Sequence, residues 1–210
     1  MPARAVLRAR VAGLLAAAAL PGVSCGLAGG GTIERHVDAR DHVVGVVPLP
    51  LADAHRLLAE RLPATVRSDA AFAGLSMAAA GDAIVPDADQ LRLRAADDPA
   101  LAAYAQLPPA ARSQDFYLFD LSDRSWQTAE YTRDSAPLRF KTDFIVHLEG
   151  GEGGTAVEVI EYLPRLLLGK TFRLRGHHGP DFYQDIRFVA PTTQDRVHLL
   201  EIVRRALARP

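Results

Sequence analysis

The sequence predicts an α+β fold in which a curved antiparallel sheet packs on a long C-terminal helix. Three observations lead to this prediction. A strand and a helix come first, strands fill the region from residue 115 onward, and residues 193–207 have helical periodicity. An antiparallel sheet with helices on one face is the two-layer arrangement of α+β domains.

The first elements are a short apolar strand over 42–47 and a helix over 51–62. Leucines and alanines recur at helical spacing through the helix, and charged residues occupy its other face. Pro63 is expected to end it. Residues 64–114 have a less regular pattern. Within them the sequence favours a helix over 69–80, a short strand over 90–94 and one or two helical turns over 99–107.

Strands dominate the second half of the chain. A loop with four glycines at 150–154 joins two of them into a hairpin, which makes them antiparallel. The expected strands lie at 116–119, 126–133, 138–148, 155–163, 171–175 and 185–190.

The clearest strand, over 138–148, alternates between two kinds of residue. Phe140 and Phe144 belong to the apolar set, whereas Asp143 and His147 belong to the other. A period of two predicts one core face and one largely solvated face. We therefore interpret Asp143 and His147, together with Glu161 on the returning strand, as members of a solvated surface.

The C-terminal helix is expected over 193–207. Val197, Leu200, Val203 and Leu207 form its apolar stripe. Asp195 lies in the first turn, where the helix dipole favours negative charge, and arginines crowd the other end, where it favours positive charge.

The N-terminus has the features of a secretory signal peptide. Arg4, Arg8 and Arg10 precede an apolar run over 11–20, and the first acidic residue is Glu34. A basic start, a short apolar region and small residues before a cleavage site are typical of such signals. The apolar run is shorter than the ~20 residues needed to span a bilayer. Cys25, the only cysteine in the chain, lies directly behind it.

The residues around Cys25 resemble the lipobox of bacterial lipoproteins. In that family the thiol receives a diacylglycerol, and cleavage makes the cysteine the first residue. Val23 and Ser24 suit the pattern, whereas Gly22 stands where the family usually has leucine. The resemblance implies a signal peptide over 1–24 and a lipid anchor at Cys25. Simple secretion, after cleavage a few residues later, and a mitochondrial-type presequence are the alternatives.

Location and organisation follow from this interpretation. Residues 25–40 begin with a glycine-rich flexible linker, and 41–210 are enough for a single α+β domain. The protein would face the periplasm or the exterior of the cell envelope, attached to the membrane by its N-terminal lipid. Since Gly26 and not aspartate follows the cysteine, the resemblance implies the outer membrane if the host has two membranes.

The charge balance argues against nucleic acid as a partner. Removal of residues 1–24 takes away three arginines and no acids, which leaves 21 basic and 25 acidic residues. Such a chain has no strong positive field. A lipidated Cys25 would leave no thiol for a disulfide, a metal site or a nucleophile. No cofactor is expected.

The order of the elements resembles helix-grip domains of the START and polyketide-cyclase type. The resemblance covers roughly 43–206 and includes the strand-to-helix segment VVPLPL at 46–51. In that family a curved sheet wraps the last helix, and the space between them often forms an apolar cavity for lipids or other hydrophobic ligands. The resemblance implies that Phe140, Phe144, Val157, Leu200 and Val203 line or plug this space. The alternative is that they fill a solid core.

His177 and His178 are weak candidates for metal ligands. Two imidazoles followed by Asp181 have the chemistry to bind zinc or iron. Adjacent histidines on an extended chain point in opposite directions, so His147 or His198 would have to supply a further ligand. A polar turn between strands is the simpler interpretation.

Two other motifs resemble catalytic or phosphate-binding sequences but lack features that those sequences need. Gly169 and Lys170 resemble the end of a phosphate-binding loop, but proline stands at 164, where that loop needs glycine. Ser76 lies between glycine and alanine neighbours like a hydrolase nucleophile, but its surroundings are alanine-rich and the later strands are antiparallel.

The sequence therefore predicts location better than activity. The first hypothesis is a lipid-anchored envelope lipoprotein whose domain binds a hydrophobic small molecule or an envelope protein. The alternative is a metal-assisted envelope enzyme that uses His177 or His178.

Overall fold

A computed structural model describes residues 33–35, 44–80, 82, 86, 89–91, 98–120, 126–174, 180–189 and 193–208. The predicted signal peptide, Cys25, His177 and His178 lie outside these residues.

The described chain is α+β and ends in a long helix, as predicted. The helices are α1 (Leu51–Ser68), α2 (Pro99–Ala105) and α3 (Thr193–Leu207), with a single 3-10 turn at Pro109–Arg112. The strands are β1 (Ile33–Arg35), β2 (Val44–Val47), β3 (Leu75–Ala79), β4 (Phe116–Asp120), β5 (Trp126–Arg133), β6 (Ala136–Gly151), β7 (Gly154–Leu174) and β8 (Pro180–Phe188). Among the described residues, no helix combines the length and the apolarity that crossing a bilayer requires.

A long hairpin of β6 and β7 forms the centre of the sheet. All described strand pairs are antiparallel, including the hairpin that the glycine-rich loop predicted. β4 and β5 share the outer edge of β6, while β2 and β8 share the other edge of β7. Register shifts at Thr142 in β6 and at Leu168 in β7 interrupt the ladders. Such irregularities increase twist and bend, and the sheet curls strongly into a half-barrel.

The turn of this hairpin depends on Gly154. Its φ of +122° lies in the region that favours glycine. A Cβ atom at this position would also meet the Val47 carbonyl oxygen at 2.1 Å. Glycine therefore lets the end of β2 lie close against the start of β7.

The inner core lies between the concave side of the sheet and the helices α1 and α3. Both helices bury one face in this core. Its buried members include Leu58, Leu62, Phe72, Phe116, Phe144, Val157, Leu200 and Val203. The Arg61 guanidinium of α1 also donates to the Ala208 carbonyl at the end of α3, 3.0 Å away.

A second core, the outer core, covers the opposite face of the sheet. Its buried residues come from α2 and from the strands β4, β6 and β7, and they include Leu101, Tyr104, Tyr117, Ile145, Ile160 and Tyr162. Asp143 and His147 lie on this face and are only 8 % and 7 % exposed. The prediction of a solvated face was wrong because α2, where the sequence indicated only one or two helical turns, packs over it.

Two helical predictions also need correction. α1 continues past Pro63 to Ser68, because Leu62 and Val66 both pack in the inner core and tertiary packing outweighs the missing N–H. Residues 69–80 are not a helix but a turn followed by β3. Pairing of β3 with β4, with Met77 opposite Leu118, overrides the helix propensity of alanine.

The C-terminal helix has the predicted bounds but a different buried face. Leu200, Val203 and Leu207 are buried as expected, whereas Val197 is exposed. Leu199 and Ile202 complete the buried stripe instead.

Candidate functional site

The residues predicted to line a ligand space lie in two adjoining clusters. Phe144, Val157, Leu200 and Val203 are buried in the inner core. Phe140 belongs to a third cluster, which it forms with Tyr131 and Leu166 and which we call the β1-end cluster. The structure thus brings four of the five together between the sheet and α3, and places the fifth beside them.

A series of aromatic rings connects the two clusters. Trp126 lies 5.8 Å from Phe140 and 5.5 Å from Phe72, and Phe72 lies 5.4 Å from Phe144, all measured between ring centroids. Each pair meets edge-to-face, the geometry that the ring quadrupoles favour. The concave side of the sheet therefore presents a continuous aromatic path towards α3.

Polar side chains of β5 hold the start of α3 over this path. The Trp126 indole N–H donates to the Asp195 carboxylate at 3.0 Å. The Glu130 carboxylate accepts from the Gln194 backbone N–H at 2.6 Å. The Glu130 contact supplies a partner to a first-turn N–H, which has none within the helix, and the Trp126 contact attaches the Asp195 side chain to β5.

Ionisable groups are also buried on the inner side. Glu161 lies opposite Phe144 across the β6–β7 pair and is fully buried, which corrects its assignment to a solvated surface. Glu130 and Arg196 are each 6 % exposed. The packed region between the sheet and α3 thus contains apolar side chains and buried charged ones.

A second polar junction joins the turn after α1 to α3. The Asp69 carboxylate contacts His198 at 3.0 Å and Arg205 at 3.3 Å. Burial alone would raise the pKa of Asp69. Its hydrogen bonds to Ala71 N–H, His198 and Arg205 lower that pKa below the ordinary value. The junction therefore contains an ionised carboxylate that fixes the two helices.

A four-residue network, the Asp115 network, lies in the outer core. The Asp115 carboxylate accepts from the His147 ring at 2.9 Å, from Leu148 N–H at 3.2 Å and from the Tyr104 hydroxyl at 2.7 Å. The Tyr104 oxygen also lies 2.6 Å from the Tyr117 oxygen. Asp115 precedes β4, Tyr104 belongs to α2 and His147 belongs to β6, so the network joins separate elements.

The charge of Asp115 controls the protonation of its neighbours. Burial alone lowers the pKa of His147, but the hydrogen bond and charge of Asp115, followed by the charges of Glu158 and Glu149, raise it above the ordinary value. Burial, and then the charge of Asp115, raise the pKa of Tyr104, which stays protonated as a donor. The network therefore favours an imidazolium paired with a carboxylate.

A carboxylate that orients a histidine can serve acid–base chemistry, but this pair is enclosed. Asp115 is fully buried and Tyr104 is 2 % exposed, so a substrate has no direct approach to the carboxylate. The arrangement instead fixes α2 and β4 on the outer face of the sheet. Sequence reasoning missed Asp115, Tyr104 and Tyr117. An acidic residue directly before an apolar strand was the signal that could have found them.

The metal hypothesis rests on residues that the structure does not describe. His177 and His178 lie outside the described residues, and the histidines that would assist them are already bonded to carboxylates. His147 contacts Asp115 in the outer core, whereas His198 contacts Asp69 between the helices. Within the described part of the chain, no group of three or more His, Cys, Asp or Glu residues is arranged to hold a metal ion.

Neither rejected motif has the surroundings that its chemistry requires. Ser76 lies within β3 rather than at a turn between a strand and a helix. Gly169 and Lys170 lie within β7, where the register with β8 shifts.

Comparison with known proteins assigns no function, so the function is inferred from the sequence and the geometry. No protein-family model, no curated protein and no solved structure matches this chain.

Proposed function

We propose that this protein is a lipid-anchored lipoprotein of the cell envelope, and that its domain binds a hydrophobic small molecule between the curled sheet and α3 in the manner of helix-grip domains. The observation that carries the proposal is the meeting of Phe144, Val157, Leu200 and Val203 under the curled sheet. These residues come from the two strands of the central hairpin and from a helix that follows much later in the chain.

The aromatic path supports a hydrophobic ligand as the partner. Phe140, Trp126, Phe72 and Phe144 form a series of edge-to-face rings that leads towards α3. Ligand sites for hydrophobic molecules are lined mainly by apolar and aromatic side chains, with few polar groups. The buried Glu130, Glu161 and Arg196 provide such polar groups at the border.

The anchor is supported by the N-terminal sequence. A signal-like segment ends directly before the single cysteine, and a glycine-rich linker separates that cysteine from β1. One acyl chain gives only marginal membrane binding, whereas the three chains of a mature lipoprotein cysteine meet the requirement for stable anchoring.

Mass spectrometry of the mature N-terminus tests the anchor. We expect wild-type protein from membranes to begin at Cys25 with acyl chains attached. The Cys25→Ala variant should keep its signal segment and carry no lipid. A mature chain that begins elsewhere, or a wild-type cysteine without modification, would overturn the lipoprotein proposal.

Native mass spectrometry of the detergent-solubilised full chain tests the ligand. We expect a hydrophobic molecule to copurify with the wild type and to be lost from Val203→Trp, which fills the space under the sheet. Val197→Trp is the matched control, because Val197 is on the same helix but exposed. Circular dichroism establishes that both variants fold. A wild type with no bound molecule, or equal retention by both folded variants, would contradict ligand binding and favour a protein partner.

A further inference from the structure

The face of the sheet that carries the outer core continues beyond it as an exposed apolar surface. Ile186 and Phe188 lie two residues apart on β8 and are 43 % and 48 % exposed. Residues two apart on a strand point to the same side. Within the described sheet, β8 pairs with β7 and is an edge strand. Two large apolar side chains therefore stand next to each other at the edge of the fold.

Cationic side chains share this face. In the first cross-strand row, Arg139 lies opposite Leu167 and Leu167 lies opposite Ile186. In the next row, Lys141 lies opposite Arg165 and Arg165 lies opposite Phe188. Directly opposed residues of an antiparallel pair have neighbouring side chains. We call Arg139, Lys141, Arg165, Leu167, Ile186 and Phe188 the β8 patch.

The charges of the β8 patch are not equivalent. The Arg165 guanidinium lies 3.6 Å from the Asp143 carboxylate, so this cation is already compensated within the protein. Arg139 is exposed, whereas Lys141 is half-buried and has an interaction within the protein as well. The patch thus combines an apolar side at β8 with a cationic side at β6.

The proposed lipid anchor enters the fold near this patch. Ile33, the first described residue, packs against the β1-end cluster, and so does Val189, which directly follows Phe188. Seven residues lie between Cys25 and Ile33, so eight residue steps connect them. At ~3.5 Å per residue an extended chain of this length spans about 28 Å at most. A lipidated Cys25 would therefore hold this end of the sheet within reach of the bilayer surface.

We propose that the β8 patch docks on an anionic bilayer surface, with Ile186 and Phe188 entering the interface and Arg139 and Lys141 facing lipid phosphates. The inference rests on the proposed lipid anchor for its orientation. Charge complementarity selects the anionic bilayer, since apolar side chains and cations on one face are the combination that interfacial binding requires.

A depth measurement at single thiols tests the docking. Acylation consumes Cys25, so Ile186→Cys and Val197→Cys each introduce one free thiol into the full-length chain. These positions are matched, with exposures of 43 % and 44 %. A nitroxide attached to each is measured in vesicles that contain phosphatidylglycerol or phosphatidylcholine alone. We expect the label at 186 to become more accessible to oxygen than to a water-soluble nickel complex in anionic vesicles, and the label at 197 to stay in water.

Charge removal gives a second readout. Arg139→Gln and Lys141→Gln, each combined with Ile186→Cys, should lower the ratio of docked to undocked label about fivefold per charge removed, as expected for one cation near an anionic surface. Added salt should also lower this ratio, because it screens the attraction between the cations and the anionic surface.

The outcomes separate this inference from the proposed anchor, because intact mass reports the state of Cys25 in every sample. A label at 186 that stays in water while Cys25 is acylated overturns the docking and leaves the anchor. An intact mass without acyl chains on Cys25 overturns the anchor, and the docking is then measured in the Cys25→Ala background, where position 186 carries the single thiol. In that background a label that enters anionic vesicles supports the docking, and one that stays in water overturns it. If raising the protein concentration immobilises the label in the absence of vesicles, the patch binds a second copy of the chain, and the docking is overturned.

Discussion

At the residue scale, Asp115 organises the outer core. Its carboxylate accepts three hydrogen bonds. The donors are the Tyr104 hydroxyl of α2, the His147 ring and the Leu148 backbone N–H, both in β6. A buried charge without such donors destabilises a fold strongly. The network therefore makes the outer layer depend on the protonation of His147.

Replacement of His147 with asparagine tests this dependence, because asparagine keeps an N–H donor but does not titrate. Burial lowers the pKa of His147, yet Asp115 raises it further, so the net pKa lies above 6.5. The stability contributed by the charged ring is complete below pH 6.5 and is lost as the pH rises through the folded pKa. We expect the wild-type free energy of unfolding to fall above pH 6.5, by at most about 1.4 kcal/mol per pH unit.

Urea unfolding of both proteins from pH 5 to 9 measures this effect as the difference between the two profiles. Asp69 does not interfere. Its lowered pKa gives a contribution that is present above pH 3.8 and is lost only as the pH falls below that value. Parallel profiles for the wild type and His147→Asn would show that the ring is not charged in the folded state.

At the element scale, α1 shows tertiary packing overriding a local stop signal. Pro63 lies inside the helix, where it lacks the N–H that would bond to the carbonyl four residues earlier. The helix continues because Leu62 and Val66, on either side of the proline, are both buried against the sheet and α3. The packing energy of these side chains outweighs the local cost.

We therefore expect Pro63→Ala to stabilise the protein by up to about 3 kcal/mol, the difference between proline and alanine inside a helix. Thermal or urea unfolding measures the change. Pro99→Ala is the control, since Pro99 lies in the first turn of α2, where proline is favoured and its N–H is not needed. Equal shifts for the two variants, or destabilisation by Pro63→Ala, would contradict this account.

At the scale of the whole molecule, the sheet has a packed layer on each face along its central hairpin. Ile145 in the outer core and Val146 in the inner core are adjacent in β6, and both are fully buried. Towards β8 the outer layer ends, and Arg139, Ile186 and Phe188 of the β8 patch are exposed. The same face of the sheet is thus a core at one end and a surface at the other.

Ile145→Ala measures the contribution of the outer layer. We expect a loss of about 2–5 kcal/mol, the range for a large aliphatic side chain removed from a core. Arg139→Ala, on the same face and strand but exposed, should change the free energy of unfolding by no more than about 0.5 kcal/mol. Urea unfolding compares them. An Ile145→Ala loss as small as that of Arg139→Ala would mean that α2 does not seal this face in solution.

Local pattern was sufficient for much of the secondary structure. The C-terminal helix, the β6–β7 hairpin and the strands β4 and β5 follow from periodicity and turn residues, which act over a few positions. Periodicity placed Phe144, Leu200 and Val203 on apolar faces, whereas the expectation that they meet, together with Val157, came from the helix-grip resemblance. Cys25 and its signal-like surroundings are a linear motif, and their interpretation needs no contact between distant residues.

Packing between distant segments decided the rest. The burial of His147 and Asp143 depends on α2, and the polarity of a strand does not reveal which helix will cover it. The Asp115 network joins residues 104, 115, 117 and 147, a combination that no spacing rule selects. Whether a face of β6 is core or surface changes along its length. A period of two identifies the faces of a strand, but only the layers packed on them determine which face is dry.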